Sequence, residues 1–395
     1  MNTALKSLKP YPFERLQALY QGITPAQKVI SLSVGEPQHA MPDFVQTTIS
    51  HSINQLAHYP ITSGSEALRQ CIANWLTTRF HLKGIDAASQ VLSCNGSREA
   101  LFATANALFD RKQGGYVLMP DPLYQIYRGA ALLAGGKPYY LRCDAENHFI
   151  PNYDEIPRSI LEQTQLLYIC SPGNPTGAVH TQEQLQSLIE MAQHYGFLIA
   201  ADECYSEIYF EPQQAPPGLL QAATMMGNEQ FEHCLVFNSL SKRSNLPGLR
   251  SGLIAGDAKL IEHLRLYRTY QGAAMSPLTQ AISIAAWSDE THVQKNRSLY
   301  GEKFTKILPM LAEVVEVTQP DASFYLWPKV PSDEEKFTRK LYQQQGVAVL
   351  PGRYLSATDG AEAAGAKHVR LALVAELSDC IQAAERIQTF CQQNF

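Results

Sequence analysis

The sequence predicts an α/β protein: a large domain built on a mainly parallel seven-stranded sheet flanked by helices, and a smaller α+β domain formed by the N-terminal arm and the C-terminal part. Three observations carry that prediction. Between Gln90 and Ala255, seven short apolar runs alternate with longer stretches of helical period, the mark of βαβ units around a buried sheet. The residues after these runs are unusually polar, as expected where ligands gather beyond the carboxyl ends of strands. After Gly256 long helical patterns give way to strands interleaved with two helices, which fits a second unit. The expected division is an arm over 1–40, a large ligand-binding domain over 41–285 and a small domain over 286–395.

Composition narrows the function. With 395 residues, 45% of them hydrophobic and 17% charged, the chain has ample material for more than one core. A formal net charge of −5 without a long basic run argues against a nucleic-acid surface. The eight cysteines are scattered, with no C-x-x-C pair and no zinc-like spacing, so no metal is expected and reduced thiols in a cytosol fit best. Met1 to Leu16 has no apolar core of a signal peptide, and nowhere do eighteen apolar residues follow one another; neither export nor a membrane span is expected.

In chain order, the arm has a helical turn around Phe13 to Tyr20 and an alternating strand, Val29 to Val34, ending at Gly35-Glu36-Pro37. Glycine there lets the backbone approach a bound group. Pro42 opens a helix toward Gln55, His58 to Gly64 is a loop carrying Tyr59, and Ser65 starts a helix with Leu68, Ile72, Trp75 and Leu76 on one face. The strands expected in the large sheet are Val91 to Ser93, Tyr116 to Met119, Pro138 to Leu141, Leu166 to Cys170, Leu198 to Asp202, Leu235 to Asn238 and Ser251 to Ala255. A helix through Ile261, Leu264 and Tyr267 follows, then a break at Gly272 and Pro277, then another helix to about Lys303. The second unit has strands at Val314 to Thr318, Ser323 to Trp327, Val347 to Leu350 and His368 to Ala372, and helices at Glu334 to Gln345 and Ser378 to Gln393.

The strand ends carry the chemistry. Asn95-Gly96-Ser97-Arg98 reads as a turn with Ser97 capping a helix, an anion site reinforced by the helix dipole. Tyr124, after Pro120-Asp121-Pro122, can lay its ring on a planar heteroaromatic. Two prolines and two glycines fix the loop around Asn174 and leave its amide rigidly placed. Asp202 ends an apolar strand and therefore needs a cation or hydrogen-bond donors; a protonated pyridine nitrogen is such a partner, with Tyr205 three residues on. Each stretch alone is equally a turn, a cap or a packed loop. The sixth strand adds Asn238-Ser239-Leu240-Ser241-Lys242 and Arg250. Lysine supplies an amine that condenses with an aldehyde, and hydroxyls with a guanidinium suit a phosphate dianion. One carboxylate, one amide, one phenol, one lysine and a phosphate cup together suit pyridoxal phosphate.

The ordered set Asn95-Gly-Ser-Arg-Glu-Ala-Leu, Asn174-Pro-Thr-Gly, Asp202-Glu-Cys-Tyr and Ser239-Leu-Ser-Lys with Gly248-Leu-Arg250 resembles the fold-type I, class I/II aminotransferases along essentially the whole chain. That resemblance implies Lys242 as the residue bonding the pyridoxal 5'-phosphate aldehyde and Asp202 at the pyridine nitrogen. It implies Asn174 and Tyr205 at the ring oxygen, and Tyr124 stacked on the ring. It also implies Ser97, Arg98, Ser239, Ser241 and Arg250 around the phosphate. It further implies Arg370, in Val369-Arg370-Leu371, as the clamp on the substrate α-carboxylate with the backbone of Gly35 and with Asn174, and a homodimer in which Tyr59 reaches the neighbouring subunit's phosphate.

Two features depart from many relatives: Arg243-Ser244-Asn245 after the lysine, and Arg98 where Gln is common. The first, with Leu8-Lys-Pro-Tyr-Pro-Phe-Glu-Arg-Leu16, resembles the N-succinyldiaminopimelate aminotransferases of bacterial lysine biosynthesis. The expected activity is transamination between glutamate and a second amino or keto acid, with Arg243, Arg98 and Arg128 as donors available to its distal carboxylates. A β-lyase, or an aminotransferase for aromatic, aspartate or branched substrates, is the alternative on this scaffold. A cofactor-binding regulator is disfavoured because no basic helix-turn-helix precedes the arm.

Overall fold

In chain order the strands are β1 (Ile30–Ser31), β2 (Val91–Cys94), β3 (Tyr116–Asp121), β4 (Lys137–Arg142), β5 (Thr164–Cys170), β6 (Leu198–Asp202), β7 (Cys234–Ser239), β8 (Gly252–Gly256), β9 (Tyr325–Leu326), β10 (Val347–Ala348), β11 (Leu350–Pro351) and β12 (Val369–Ala372). The structure, a computed structural model, describes residues 3–211 and 215–395; Met1 and Asn2 of the expected arm lie outside the described residues.

The large sheet has the order β2-β8-β7-β6-β5-β3-β4, with β8 antiparallel to both of its neighbours and the remaining pairs parallel. Side chains alternate between two apolar faces, so successive residues of one strand enter different cores. Leu167, Ile169, Ile199, Ala201 and Val236 pack under the helices Glu66–Phe80, Gln182–Tyr195 and Leu219–Met225. Leu166, Tyr168, Ala200, Leu235 and Phe237 pack under Ser97–Leu108, Gln125–Ala134 and Ala258–Gln271. This two-sided burial is why the strands read as apolar runs. It leaves only their ends free for polar chemistry.

Beside this sheet, β11-β12-β9 form an antiparallel sheet and β1 pairs in parallel with β10. Ile30 and Leu32 of the arm share a core with Phe304, Ile307, Leu341, Leu371, Ile387 and Phe390. Three expectations need correction here. The helix expected to run from Pro277 to Lys303 is two helices, Pro277–Ser288 and Thr291–Ala312, because Asp289 is extended and its carboxylate accepts from the His292 main-chain N–H at 2.9 Å. Val314 to Thr318 is not a regular strand. Only Glu316 finds a bridging partner, Lys329, while Val314, Val315 and Val317 are used for packing. Val347 to Leu350 divides into β10 and β11, which pair with different strands.

Among the described residues no helix is long and apolar enough to cross a membrane, and no group of His, Cys, Asp and Glu is arranged to hold a metal ion.

One fully buried charge marks the packing of the second unit. Glu334 is bonded by the Arg353 guanidinium and accepts from the Lys367 main-chain N–H at 2.8 Å; Arg353 also reaches Asp333 at 2.6 Å. Arg353→Met strands the Glu334 carboxylate, and urea unfolding is expected to show a loss of about 3 kcal/mol, as for other buried pairs that lose one partner.

Candidate active site

The carboxyl ends of β2, β3, β5, β6 and β7 meet at one edge, and β8, running the other way, begins there. One cavity of about 550 Å³ lies over that edge. The antiparallel strand has a consequence for the chemistry: Arg250, just before β8, arrives at the same edge as Lys242, just after β7.

At one end of the cavity the donors suit an anion. Gly96, with φ of 84°, is the cap of the helix Ser97–Leu108, so Ser97 is the first helical residue and not the cap the sequence predicts. A Cβ on Gly96 would stand 2.5 Å from the Arg250 guanidinium, so a side chain there would push that group off the helix start and would itself be strained by the positive φ. The Ser239 hydroxyl accepts from the Ser241 main-chain N–H at 3.1 Å and lies 3.0 Å from the Ser241 hydroxyl. The Ser97 hydroxyl accepts from the Cys204 thiol at 2.9 Å. Three hydroxyls, one guanidinium and a helix N-terminus line this end.

Deeper, Asp202 is buried. Its carboxylate accepts from the Tyr127 hydroxyl at 2.7 Å and from the Cys204 main-chain N–H at 3.3 Å, and burial raises its pKa. No cation bonds it among the described residues. A protonated ring nitrogen would supply such a partner. Lys242 lies across the cleft and donates its ammonium to the Gly35 carbonyl; burial pushes its pKa down to about 8.

Arg370 is buried against the Tyr325 ring. Its Nη1 donates to the Asn174 Oδ1 at 2.9 Å and its Nη2 to the Ser33 carbonyl at 2.7 Å, while its buried Nε has no partner among the described residues. The Tyr205 hydroxyl is 3.0 Å from that of Tyr325, and burial holds it protonated. Tyr124 accepts from Arg98 Nε at 2.7 Å, and Arg98 Nη2 also donates to the Tyr11 hydroxyl at 3.3 Å, at the mouth of the cavity. The uncompensated Asp202 and the anion end fit the ring nitrogen and the phosphate of pyridoxal phosphate, and the orphaned Arg370 Nε is open to a carboxylate beside it.

Ser97, Arg98, Tyr124, Asn174, Asp202, Tyr205, Ser239, Ser241, Lys242, Arg250, Gly35 and Arg370 all line the one cavity. Tyr59 does not; its side chain is fully exposed on the loop after Ala57. Two expectations fail. Arg243 is buried between Trp75 and Trp287, donates to the Ala286 carbonyl at 2.7 Å and pairs with Glu290, so it cannot meet a substrate. Arg128 lies outside the cavity and donates to the Ser7 carbonyl at 3.3 Å.

Sequence reasoning missed Tyr11, Glu36, Tyr127 and Tyr325. A tyrosine inside an apolar run signals only burial, and Tyr127 reaches Asp202 from a helix 75 positions away. Gly35 is legible as a place of close approach, but what approaches it here is Tyr325: a Cβ on Gly35 would stand 2.1 Å from the Tyr325 hydroxyl.

Comparison with known proteins supplies the context. The profile of the family "Aminotransferase class I and II" matches residues 27–387. The LL-diaminopimelate aminotransferase of Aquifex aeolicus is 32% identical over 391 residues, 97% of each chain. An aminotransferase crystal structure from Neisseria meningitidis shares 44% identity with a TM-score of 0.94, covering 99% of this chain and all of the other. A Thermus thermophilus structure described as "probable N-succinyldiaminopimelate aminotransferase" has a TM-score of 0.85 at 23% identity, covering 96% of this chain and 99% of the other, which is a likeness of fold.

The Lys242 amine offers a direct check on the electrostatics. Burial disfavours its charged form, so the neutral, reactive amine accumulates as pH rises through about 8. In cofactor-free protein, reductive methylation of Lys242 followed by peptide mass spectrometry is expected to show a midpoint near that pH, whereas exposed lysines titrate about two units higher.

Proposed function

The chain belongs to the class I and II aminotransferases, whose cofactor is pyridoxal phosphate, and from that premise we propose that it exchanges an amino group between glutamate and a diaminopimelate-type keto acid, the N-succinyl-LL-2,6-diaminopimelate pair first. The observation that carries this reading is the Arg98 guanidinium at the cavity mouth, bonded among the described residues to two phenols and to no carboxylate, and so open to a second, distal one. The wording of the sequence around Lys242 and in the arm supports the same substrate. Free LL-diaminopimelate is the second reading: it is named for the Aquifex aeolicus relative, and Glu36, also in the lining, suits its distal ammonium.

Bound in the cavity, the cofactor supplies an aldehyde that carries the amino group and a pyridine ring that takes up the electrons left when a substrate Cα–H bond breaks. In this proposal Asp202 holds the proton on the ring nitrogen, and Asn174 and Tyr205 hold the ring oxygen. Tyr124 covers the ring face, and Ser97, Ser239, Ser241 and Arg250 hold the phosphate, while Arg98, which donates to the Tyr124 and Tyr11 hydroxyls, is given to the distal carboxylate instead. Arg370 takes the α-carboxylate with its free Nε and one Nη, helped by Asn174 and the Gly35 backbone, and so orients the Cα–H bond toward Lys242. The Lys242 amine would carry that proton from Cα to the cofactor carbon that keeps the amino group within the same half-reaction, and would carry a proton back to Cα in the second, so the kinetics are ping-pong.

The same proposal includes the division into arm (1–40), large (41–285) and small (286–395) units, a cytoplasmic place of action, and a homodimer. Exposed Tyr59, with exposed Ile53, Leu56 and Ile61 on the same stretch of chain, supports a partner surface there, across which Tyr59 meets the neighbouring phosphate.

Lys242→Ala is expected to lower turnover by roughly a thousandfold or more, and near-normal glutamate formation in that variant sinks the assignment. Arg370→Ala is expected to raise KM for every carboxylate substrate by about ten- to a hundredfold. Arg98→Met tests the substrate: KM for N-succinyl-LL-2,6-diaminopimelate should rise about tenfold with that for glutamate nearly unchanged. Faster turnover of free LL-diaminopimelate than of the succinylated compound selects the second reading, and keto-acid-independent release of ammonia selects a β-lyase.

A further inference from the structure

Lys242 is held at both ends by one loop of the arm. Its side-chain nitrogen donates to the Gly35 carbonyl. Its own carbonyl accepts from the Asn296 amide at 3.3 Å, and the same NH₂ group lies 3.5 Å from the Arg243 carbonyl. Asn296 Oδ1 is 2.7 Å from His39 Nδ1, four residues on from Gly35. The circuit from the arm to the lysine and back to the arm is closed.

Its direction follows from Lys303. The Lys303 nitrogen lies 2.6 Å from His39 Nε2 and donates to the Leu373 carbonyl at 3.1 Å. An ammonium has only donors, so Nε2 accepts. The His39 proton then sits on Nδ1 and is donated to Asn296 Oδ1, which turns the amide NH₂ toward the Lys242 carbonyl. Each bond fixes the sense of the next. His39, Asn296 and Lys303 are all buried, and none lines the cavity. The other groups facing them are the Tyr300 ring, at 4.6 Å from the imidazole, the Cys380 thiol beside Lys303, and the Glu376 carboxylate, whose charge acts on both His39 and Lys303.

The helix Thr291–Ala312, which carries Asn296 and Lys303, also grips the residue two beyond Lys242: His292 Nε2 is 2.8 Å from the Ser244 hydroxyl, and its Nδ1 is 2.5 Å from Asp289. This Ser-His-Asp chain is fully buried at the serine and serves as a bolt. A cluster kept for stability alone is better served by apolar side chains of the same volume, since burying an ammonium is costly. What the polar version adds is a fixed place for the Lys242 main chain.

We propose that His39 and Asn296, set in one hydrogen-bonding sense by Lys303, are positioning residues for the reaction: they fix the Lys242 carbonyl and with it the point from which the amine reaches. The proposal rests on Lys242 being the residue that bonds the cofactor. Its test uses His39→Leu, which breaks both bonds of the imidazole, and His39→Asn, whose amide keeps a donor where Nδ1 stands. Cofactor-free protein is mixed with pyridoxal phosphate, capture is followed by absorbance, and the adduct is trapped with borohydride and located by mass spectrometry; kcat and KM for glutamate and thermal unfolding midpoints are measured alongside.

For His39→Leu, capture and kcat are each expected to fall about tenfold with KM changed less than about twofold, while His39→Asn stays within about threefold of the parent. Equal behaviour of the two variants in capture and kcat, or losses that follow the unfolding midpoint, overturns the proposal. Absence of an adduct on Lys242 in the parent overturns the underlying assignment instead. Should His39→Leu not fold, Asn296→Ser, which withdraws the amide and leaves room for water, is put through the same measurements with the same expected losses, and unchanged capture and kcat overturn the proposal.

Discussion

Charge held in a cleft without an opposite charge beside it is the constraint on which this structure depends. Among the described residues Asp202 is met by a phenol, a backbone N–H and the Cys204 thiol, Lys242 by a backbone carbonyl, and Arg370 by an amide oxygen and a backbone carbonyl. Neutral partners place each charge and leave it uncompensated, so the free energy of pairing is reserved for what binds. An internal salt bridge would have been simpler to fold. It would also have filled the site with its own ions.

Such an arrangement requires a rigid wall, and the large sheet provides it. Because both faces of β5, β6 and β7 are packed by helices, their ends have little freedom, and Asp202 and Lys242 inherit that rigidity. This part was legible in the sequence. Apolar runs with polar ends give both the sheet and the residues beyond it, because one physical cause, two-sided burial, produces both signals. The turn at Gly96 was legible as a turn but misread by one residue, since glycine and serine are both good caps and only the positive φ separates them.

What was not legible falls into two kinds. Arg243 reads as a free cation because arginine beside the cofactor lysine is chemically plausible, but Trp75 and Trp287, each on the buried face of its helix, make a slot that accepts a guanidinium, and Glu290 neutralises it. Seeing that slot requires knowing that two helices far apart in sequence are neighbours. The same holds for Tyr127 and Tyr325, whose hydroxyls matter only because of what the fold sets opposite them. The division of the helix at Asp289 is the local counterpart: the capping bond to His292 overrides a helical period that continues without interruption.

The second kind is contact made by main-chain atoms, which leaves no residue-type signature. Ser33 and Gly35 contribute carbonyl oxygens to Arg370 and Lys242, so the arm supplies acceptors to two of the cleft's cations. Composition presented that segment as a strand and a turn. Its position is nevertheless determined by side chains: Leu32 is buried in the core of the second unit and its carbonyl accepts from the Ala372 N–H at 2.7 Å, while His39 is tied to Asn296. The arm is therefore clamped on either side of the two carbonyls it presents. Moving either clamp moves the acceptors of Arg370 and Lys242 together, so in the proposed reaction the group that would hold the substrate carboxylate and the amine that would take its Cα proton stay in register through a stretch of backbone that offers only its carbonyls.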